Sequence, residues 1–310
     1  MAQTVKLDEL GGDRGLGWIP DVPDFRDYTP KHEEVAPLLA ETAVPELTEE
    51  SAKAPSLPPA VDLRQWCSPV EDQGPLGSCT AHAGVGMLEY FERKACGRHV
   101  DASRLFLYRA TRKLLGLWGD SGASLRGTAG AMQLFGVPPE QYWPYEPPEF
   151  ETEPPGFAYA FAEKYQALKY YRLDPPGTKP EALIAAIKAS LASQLPAMFG
   201  WTVFSSVRQA GKNGGKIPFP GQGDAIEGGH AVMAVGYDDK ISLPGGALGV
   251  DSTGGVLFRN SWSSAWGDDG YGWLSYDYIR HQLTGDWWVL IDQEWTSTEE
   301  FTKEDEEGEG

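Results

Sequence analysis

At 310 residues, 41% hydrophobic and 12% aromatic, the chain can bury a full core in one large domain or two fused subdomains. Its formal net charge of −19 argues against nucleic acid or an anionic membrane surface as a partner. No apolar run approaches the roughly 18 residues of a transmembrane helix, and residues 1–8 lack an apolar signal core, so neither membrane insertion nor export by the usual signal is expected.

Residues 1–57 read as an arm separate from the globular body. Within it, residues 15–28 are extended and proline-spaced; Pro20 and Pro23 keep the stretch out of helix, and it carries Trp18, Phe25 and Tyr28. An acidic, Ala- and Glu-rich stretch follows to Ser51, with a short helix expected over 33–41, and residues 54–59 read as a linker.

The body opens on Gln73-Gly74-Pro75-Leu76-Gly77-Ser78-Cys79-Thr80-Ala81-His82-Ala83, a glycine-broken turn running into small and apolar residues. It predicts a buried helix from Cys79 to about Ala95, stopped by Gly97. A cysteine in the first turn of a helix feels the positive end of the dipole, which favours thiolate, so Cys79 is the candidate nucleophile. Helices are expected over 103–115 and 124–135, the latter closed by Gly136, and over 158–168 and 180–193. From Leu195 the periodicity shortens to strands at 196–203, 230–237, 256–262, 270–275 and 287–292, with a short helix at 276–283. The Gly/Pro-rich stretches 211–229 and 242–255 read as surface loops, and the acidic tail 294–310 as solvated.

Three segments carry a resemblance. Gln73-Gly74 with Gly77-Ser78-Cys79, then Gly228-Gly229-His230-Ala231-Val232, then Asn260-Ser261-Trp262 with Trp266-Gly267 and Gly270-Tyr271-Gly272 resemble the papain family of cysteine peptidases. Gln, Cys, His and Asn follow in the family's order, and Asp62-Leu63-Arg64 stands where mature members begin. The resemblance covers roughly residues 58–292. His230 and Asn260 follow Cys79 at more than the roughly 130–150 residues usual in the family, an excess the two Gly/Pro-rich loops can absorb. Leu76 stands where the family usually has a cysteine, removing a disulfide partner, and Thr80 replaces a tryptophan of the cleft wall.

The resemblance implies an α+β, papain-like two-subdomain fold over residues 58–293. A helical left half would supply Cys79, a β-barrel-like right half His230 and Asn260, and the active cleft would lie between them. It also implies a cysteine endopeptidase. Cys79 and His230 would form a thiolate–imidazolium pair leading to an acyl-enzyme, Asn260 would orient the imidazole, and Gln73 would join the Cys79 N–H in an oxyanion hole. Trp262 would shield the His–Asn hydrogen bond. Gly122 and Ala123, in the small-residue loop 120–124, would pair with substrate backbone, with Gly229 beside them. The substrate residue two before the scissile bond would dominate specificity, often an apolar one. Peptides or proteins are the expected substrates, and residues 1–57 a prosegment lying across the cleft of a precursor cleaved near 51–59, or else an arm packed elsewhere for stability. No cofactor is called for, and no paired Cys/His spacing suggests a metal. His82, three residues after Cys79 on one helix, is the rival histidine, but its spacing points it into the helix's own packing. Only Cys67, Cys79 and Cys96 are present, which fits a reducing compartment, the cytoplasm, although a Cys67–Cys96 bond stays open. Acyl transfer through the same site and a non-catalytic peptide-binding scaffold are the alternative functions.

Overall fold

A computed structural model describes residues 2–41, 57–163, 169–245 and 251–291. Residues 54–56 of the linker, most of the 51–59 cleavage region, the end of the helix expected over 158–168 and the 294–310 tail lie outside the described residues.

The chain starts with a hairpin, β1 (Gln3–Leu7) and β2 (Gly12–Leu16), continues extended, and forms α1 (Ala36–Glu41). The body then runs β3 (Ala60–Asp62), α2 (Cys79–Cys96), α3 (Arg104–Leu114), α4 (Leu125–Phe135), α5 (Gly156–Ala162), β4 (Lys169–Arg172), α6 (Pro180–Ala192) and β5 (Ala197–Phe204). It ends with β6 (Ile226–Leu243), β7 (Ser252–Arg259), β8 (Tyr271–Ser275), α7 (Tyr276–Arg280) and β9 (Thr284–Ile291).

Local chemistry sets the helix ends. The Ser103 hydroxyl accepts from Phe106 N at the start of α3, and the Ser124 hydroxyl from Gly127 N at the start of α4, each 3.1 Å. Helix α2 stops at Gly97 in the left-handed region, with Arg93 and Lys94 in its last turn. Every residue of α2 from Cys79 to Phe91 is buried, because the helix is packed between α3, α4 and β6. Glu89 on α2 is fully buried and receives both Nη2 bonds of Arg104 on α3, at 3.0 and 3.1 Å. A buried charge pair tolerates desolvation only when satisfied in this way, so the bond ties α2 firmly to α3.

The right half is a seven-stranded antiparallel sheet of order β4-β9-β5-β6-β7-β8, with β3 also paired to β6. Expected as barrel-like, it shows no hydrogen bonding between its end strands β4 and β8 among the described residues. Its core is aromatic: Trp201, Trp262, Trp266, Trp287 and Trp288 are fully buried, and Phe199 stacks on Trp287 at 4.0 Å. The expected strand 230–237 is longer as β6 because its end pairs with β7 as far as Leu243↔Ser252. Residues 260–262, expected to end a strand, instead leave the sheet and turn into the cleft. All three cysteines are free, so Cys67 (buried) and Cys96 (exposed) are not joined. Among the described residues no helix is long and apolar enough to cross a membrane.

Candidate active site

The turn before α2 is held by groups remote in sequence. Gln73 N donates to Ser261 O at 2.9 Å, and the Ser261 hydroxyl donates to Gln73 Oε1 at 2.6 Å. The Gln73 amide is thereby oriented with Nε2 toward Leu76 O (2.7 Å) and Gly15 O (3.1 Å). Ser78, at the helix N-cap, makes no side-chain cap; its hydroxyl bonds Tyr145 OH at 2.7 Å, and Tyr145 OH donates to Gln73 O at 2.9 Å. Cys79 follows as the first helical residue, fully buried.

His230 lies on β6 with its Nε2 2.8 Å from Asn260 Oδ1. Trp262 stacks on the imidazole with centroids 4.5 Å apart, and both are fully buried. Asn260 Oδ1 also accepts from Ser261 N at 2.8 Å, which fixes the amide. The neighbour of His230, Ala231, donates its N–H to Cys79 Sγ at 3.4 Å, bringing β6 against the head of α2. Burial pushes the Cys79 thiol up to about 11, against the pull of surrounding backbone N–H groups that include Gly17. Burial likewise lowers His230 to about 4, its bond to Asn260 opposing. The expected thiolate–imidazolium pair is therefore disfavoured here; thiol and neutral imidazole are the favoured forms.

The N-terminal arm lies in the cleft beside these groups, and the Gly17 backbone N–H reaches Cys79. Gly15 N donates to Gly74 O at 2.9 Å, Trp18 N to Gly229 O at 3.0 Å and Ile19 N to Ala123 O at 3.0 Å, while Gly17 O accepts from Ala123 N at 2.8 Å. Residues 17–19 thus run parallel to the 122–124 loop. The approach is so close that a Cβ on Gly122, whose φ is 76°, would stand 2.2 Å from Gly17 O, which explains a small residue there. Beyond Trp18 the arm is locked by charge. Asp27 receives Arg126 Nε at 2.7 Å and Arg172 Nη1 at 3.1 Å, and Asp21 Oδ2 accepts from Trp288 Nε1 at 3.0 Å.

All eight sequence-derived residues, Cys79, His230, Asn260, Gln73, Gly122, Ala123, Gly229 and Trp262, line this one cleft or brace it. His82 does not: it is buried with Nδ1 3.1 Å from Ser78 O, against the edge of Tyr145. Sequence reasoning missed Ser261, Tyr145, Gly200 and Asp286. Ser261 sat inside a motif already quoted, whereas the other three carry no local signal. Among the described residues no group of three His, Cys, Asp or Glu side chains is placed to hold a metal ion.

Residues 57–283 match the family described as papain family cysteine protease. A peptidase C1-like protein of Acanthamoeba polyphaga mimivirus is 35% identical over 235 residues, covering 74% of this chain and 71% of that one. Peptidase 1 of the mite Euroglyphus maynei is 26% identical over 230 residues, and the match spans 63% of its length. Among solved structures, xylellain, a cysteine protease from Xylella fastidiosa, superposes with a TM-score of 0.67 at 34% identity, covering 90% of this chain and 96% of that one. Digestive procathepsin L 3 of Tenebrio molitor shares the fold, with a TM-score of 0.56 at 21% identity over 77% of this chain and 71% of that one. With a nucleophile-bearing helix set against a histidine–asparagine pair, and with these likenesses, the chain belongs to the papain family of cysteine proteases.

Proposed function

We propose that the protein is a cysteine endopeptidase held latent by its own residues 12–28. Cys79 Sγ attacks the scissile carbonyl carbon, and the Gln73 Nε2 and Cys79 N–H groups hold the resulting oxyanion. His230 gives its proton to the leaving amine, then draws a proton from water as the acyl-enzyme is hydrolysed. Asn260 keeps the imidazole in one tautomer and rotation.

The seating of the arm carries this reading. It engages the groups a peptide substrate would need: Gln73 Nε2 holds the carbonyl oxygen of Gly15, and the Trp18 backbone is clamped between Ala123 and Gly229. Yet the arm runs from Gln73 toward Ala123. A substrate whose residues before the scissile bond pair with Ala123 runs the other way. The reversed polarity offers Cys79 no peptide bond in attacking register, so the arm occupies the site without being cut. By excluding water it also keeps the pair neutral, and departure of the arm restores the ion pair.

The test is mass spectrometry of the full chain after incubation with a thiol-directed epoxide, alongside Cys79→Ala and Trp18→Ala. The expected result is a single adduct on Cys79, formed at least tenfold faster in Trp18→Ala, absent in Cys79→Ala, and with residues 12–28 intact. No Cys79 adduct even in a folded Trp18→Ala chain would defeat the peptidase reading. Equal rates in wild type and Trp18→Ala, or Cys79-dependent cuts within residues 12–28, would defeat the latency reading.

A further inference from the structure

One phenolic oxygen joins the two ends of the turn before α2. Tyr145 OH donates to Gln73 O at 2.9 Å, and Ser78 Oγ lies 2.7 Å from the same oxygen. A carbonyl oxygen can only accept, so the phenol proton is committed to Gln73 and the Ser78 hydroxyl donates to the phenol. The two residues so linked carry the proposed oxyanion donors. Gln73 bears Nε2, and the Ser78 carbonyl carbon is bonded to the Cys79 nitrogen.

Ser78 forgoes a local bond to make this one. Ser103 and Ser124 cap α3 and α4 with their hydroxyls, whereas Ser78, at the same position of α2, accepts from no helix N–H. A capping rule is broken at the head of the nucleophile's helix in favour of a partner 67 positions away. Departures of this kind gather at functional sites.

Tyr145 is itself a fixed post. Its N–H donates to Glu140 Oε1 at 2.9 Å, Trp143 O accepts from Ser103 Oγ at 2.5 Å, and Glu140 Oε2 accepts from Arg104 Nη1 at 3.3 Å. Arg104 is the partner of Glu89, so the loop carrying the phenol is braced on α2. The ring edge also packs on His82 of that helix, with centroids 5.0 Å apart. Ser261 takes the N–H and Oε1 of Gln73 as Tyr145 takes its carbonyl, and only Nε2 is left for the occupant of the cleft.

We propose that Tyr145 is a positioning residue of the oxyanion hole: its hydroxyl fixes the separation of Gln73 Nε2 from the Cys79 N–H. The proposal rests on the peptidase reading above. Tyr145 acts through these two donors and not on the substrate. A donor pair held at the right spacing beforehand needs no rearrangement as negative charge develops on the carbonyl oxygen.

The experiment compares Tyr145→Phe with its parent, the full chain carrying Trp18→Ala. Phenylalanine keeps the ring against His82 and removes only the hydroxyl. Three quantities are measured. The first is kcat and KM for a peptide, and the second is affinity for a peptide aldehyde, whose hemithioacetal with Cys79 places its oxygen in the hole. The third is the pH profile of alkylation by iodoacetamide, where sulfur displaces iodide at a saturated carbon and no oxyanion forms. In Tyr145→Phe, kcat and aldehyde affinity should each fall about tenfold, with KM and the alkylation profile within twofold of the parent. In a Gln73→Ala background the same change should cost less than threefold in kcat, because one of the two donors it aligns is already gone. Ser78→Ala, which cuts the link at its other end and decides the matter should Tyr145→Phe fail to fold, should repeat the pattern. An unchanged kcat, equal losses in kcat and alkylation, or the full tenfold loss persisting without Gln73 overturns the positioning role alone. A folded parent that neither hydrolyses peptides nor binds the aldehyde brings down the peptidase reading, and the positioning role with it.

Discussion

The side-chain amide of Gln73 donates to the carbonyl oxygen of Gly15 at 3.1 Å, so a group expected to stabilise an oxyanion is occupied by the protein's own arm. The same amide is aimed by the Ser261 hydroxyl at 2.6 Å. In the Trp18→Ala chain, Gln73→Ala should lower kcat about 10²–10³-fold, roughly 2.7–4 kcal/mol, as loss of one oxyanion donor does elsewhere. Ser261→Ala should cost about tenfold through misaiming of the amide, near the net worth of one hydrogen bond. Peptide hydrolysis kinetics checks both, with KM changing less than kcat in each.

Thiol reactivity should report the state of the arm. With Cys79 pushed up to about 11 by burial, the thiolate is scarce at pH 7 while the arm is docked. The rate of Cys79 alkylation in wild type should climb steeply from pH 7 to 9. In Trp18→Ala it should already be high at pH 7 and nearly flat above it, as followed by mass spectrometry of iodoacetamide adducts.

His230 should make stability pH-dependent. Its folded value, lowered to about 4, lies below the ordinary 6.5, so the unfolded chain binds the extra proton between those values. Stability from this group is therefore fully present above about pH 6.5 and is lost as pH falls toward 4, by up to roughly 3 kcal/mol. Urea unfolding of wild type and His230→Gln across pH 4–7 isolates the effect: the wild type should lose ground to the variant on acidification.

Arg126 pairs with Asp27 through Nε at 2.7 Å and donates Nη1 to Val22 O at 2.8 Å. Arg126→Ala removes one of the two guanidinium partners of Asp27 and leaves Arg172 Nη1 at 3.1 Å, a loss of about 1.5–3 kcal/mol for a hydrogen bond to a charged group. The arm should open more often, raising Cys79 labelling by tenfold or more and exposing residues 12–28 to limited proteolysis. The thermal midpoint of the body should move little, because Arg126 sits at the rim of its own domain.

Much of the site was legible in sequence because its chemistry sits in short motifs. The glycine-broken turn pointed to Cys79 only together with the two later motifs, and Asn260-Ser261-Trp262 places the acceptor for His230, the partner of Gln73 and the indole over the imidazole in three consecutive residues. The cleft-lying arm was legible as an extended, proline-spaced, aromatic segment, since prolines act locally. Its partners were not. Trp18 and Asp286 are 268 positions apart and meet only after β9 has paired with β5. The indole of Trp18 lies against the backbone of Gly200 and Gly285 on neighbouring strands, a contact that no local pattern announces. The hairpin at residues 3–16 and strand β4 went unseen because short edge strands carry little periodicity of their own.

By itself the sequence determined which residues have the functional groups for thiol chemistry, and the helix starts, stops and core strands that present them. Those follow from capping, backbone restriction and hydrophobic period, all of which act over a few residues. Tertiary structure alone decided the polarity of the arm, the burial of Cys79 and His230, and the contact of Asp286 with the Trp18 indole. Each depends on burial and on hydrogen bonds between segments brought together only by the folded sheet, and desolvation has no address in a linear chain.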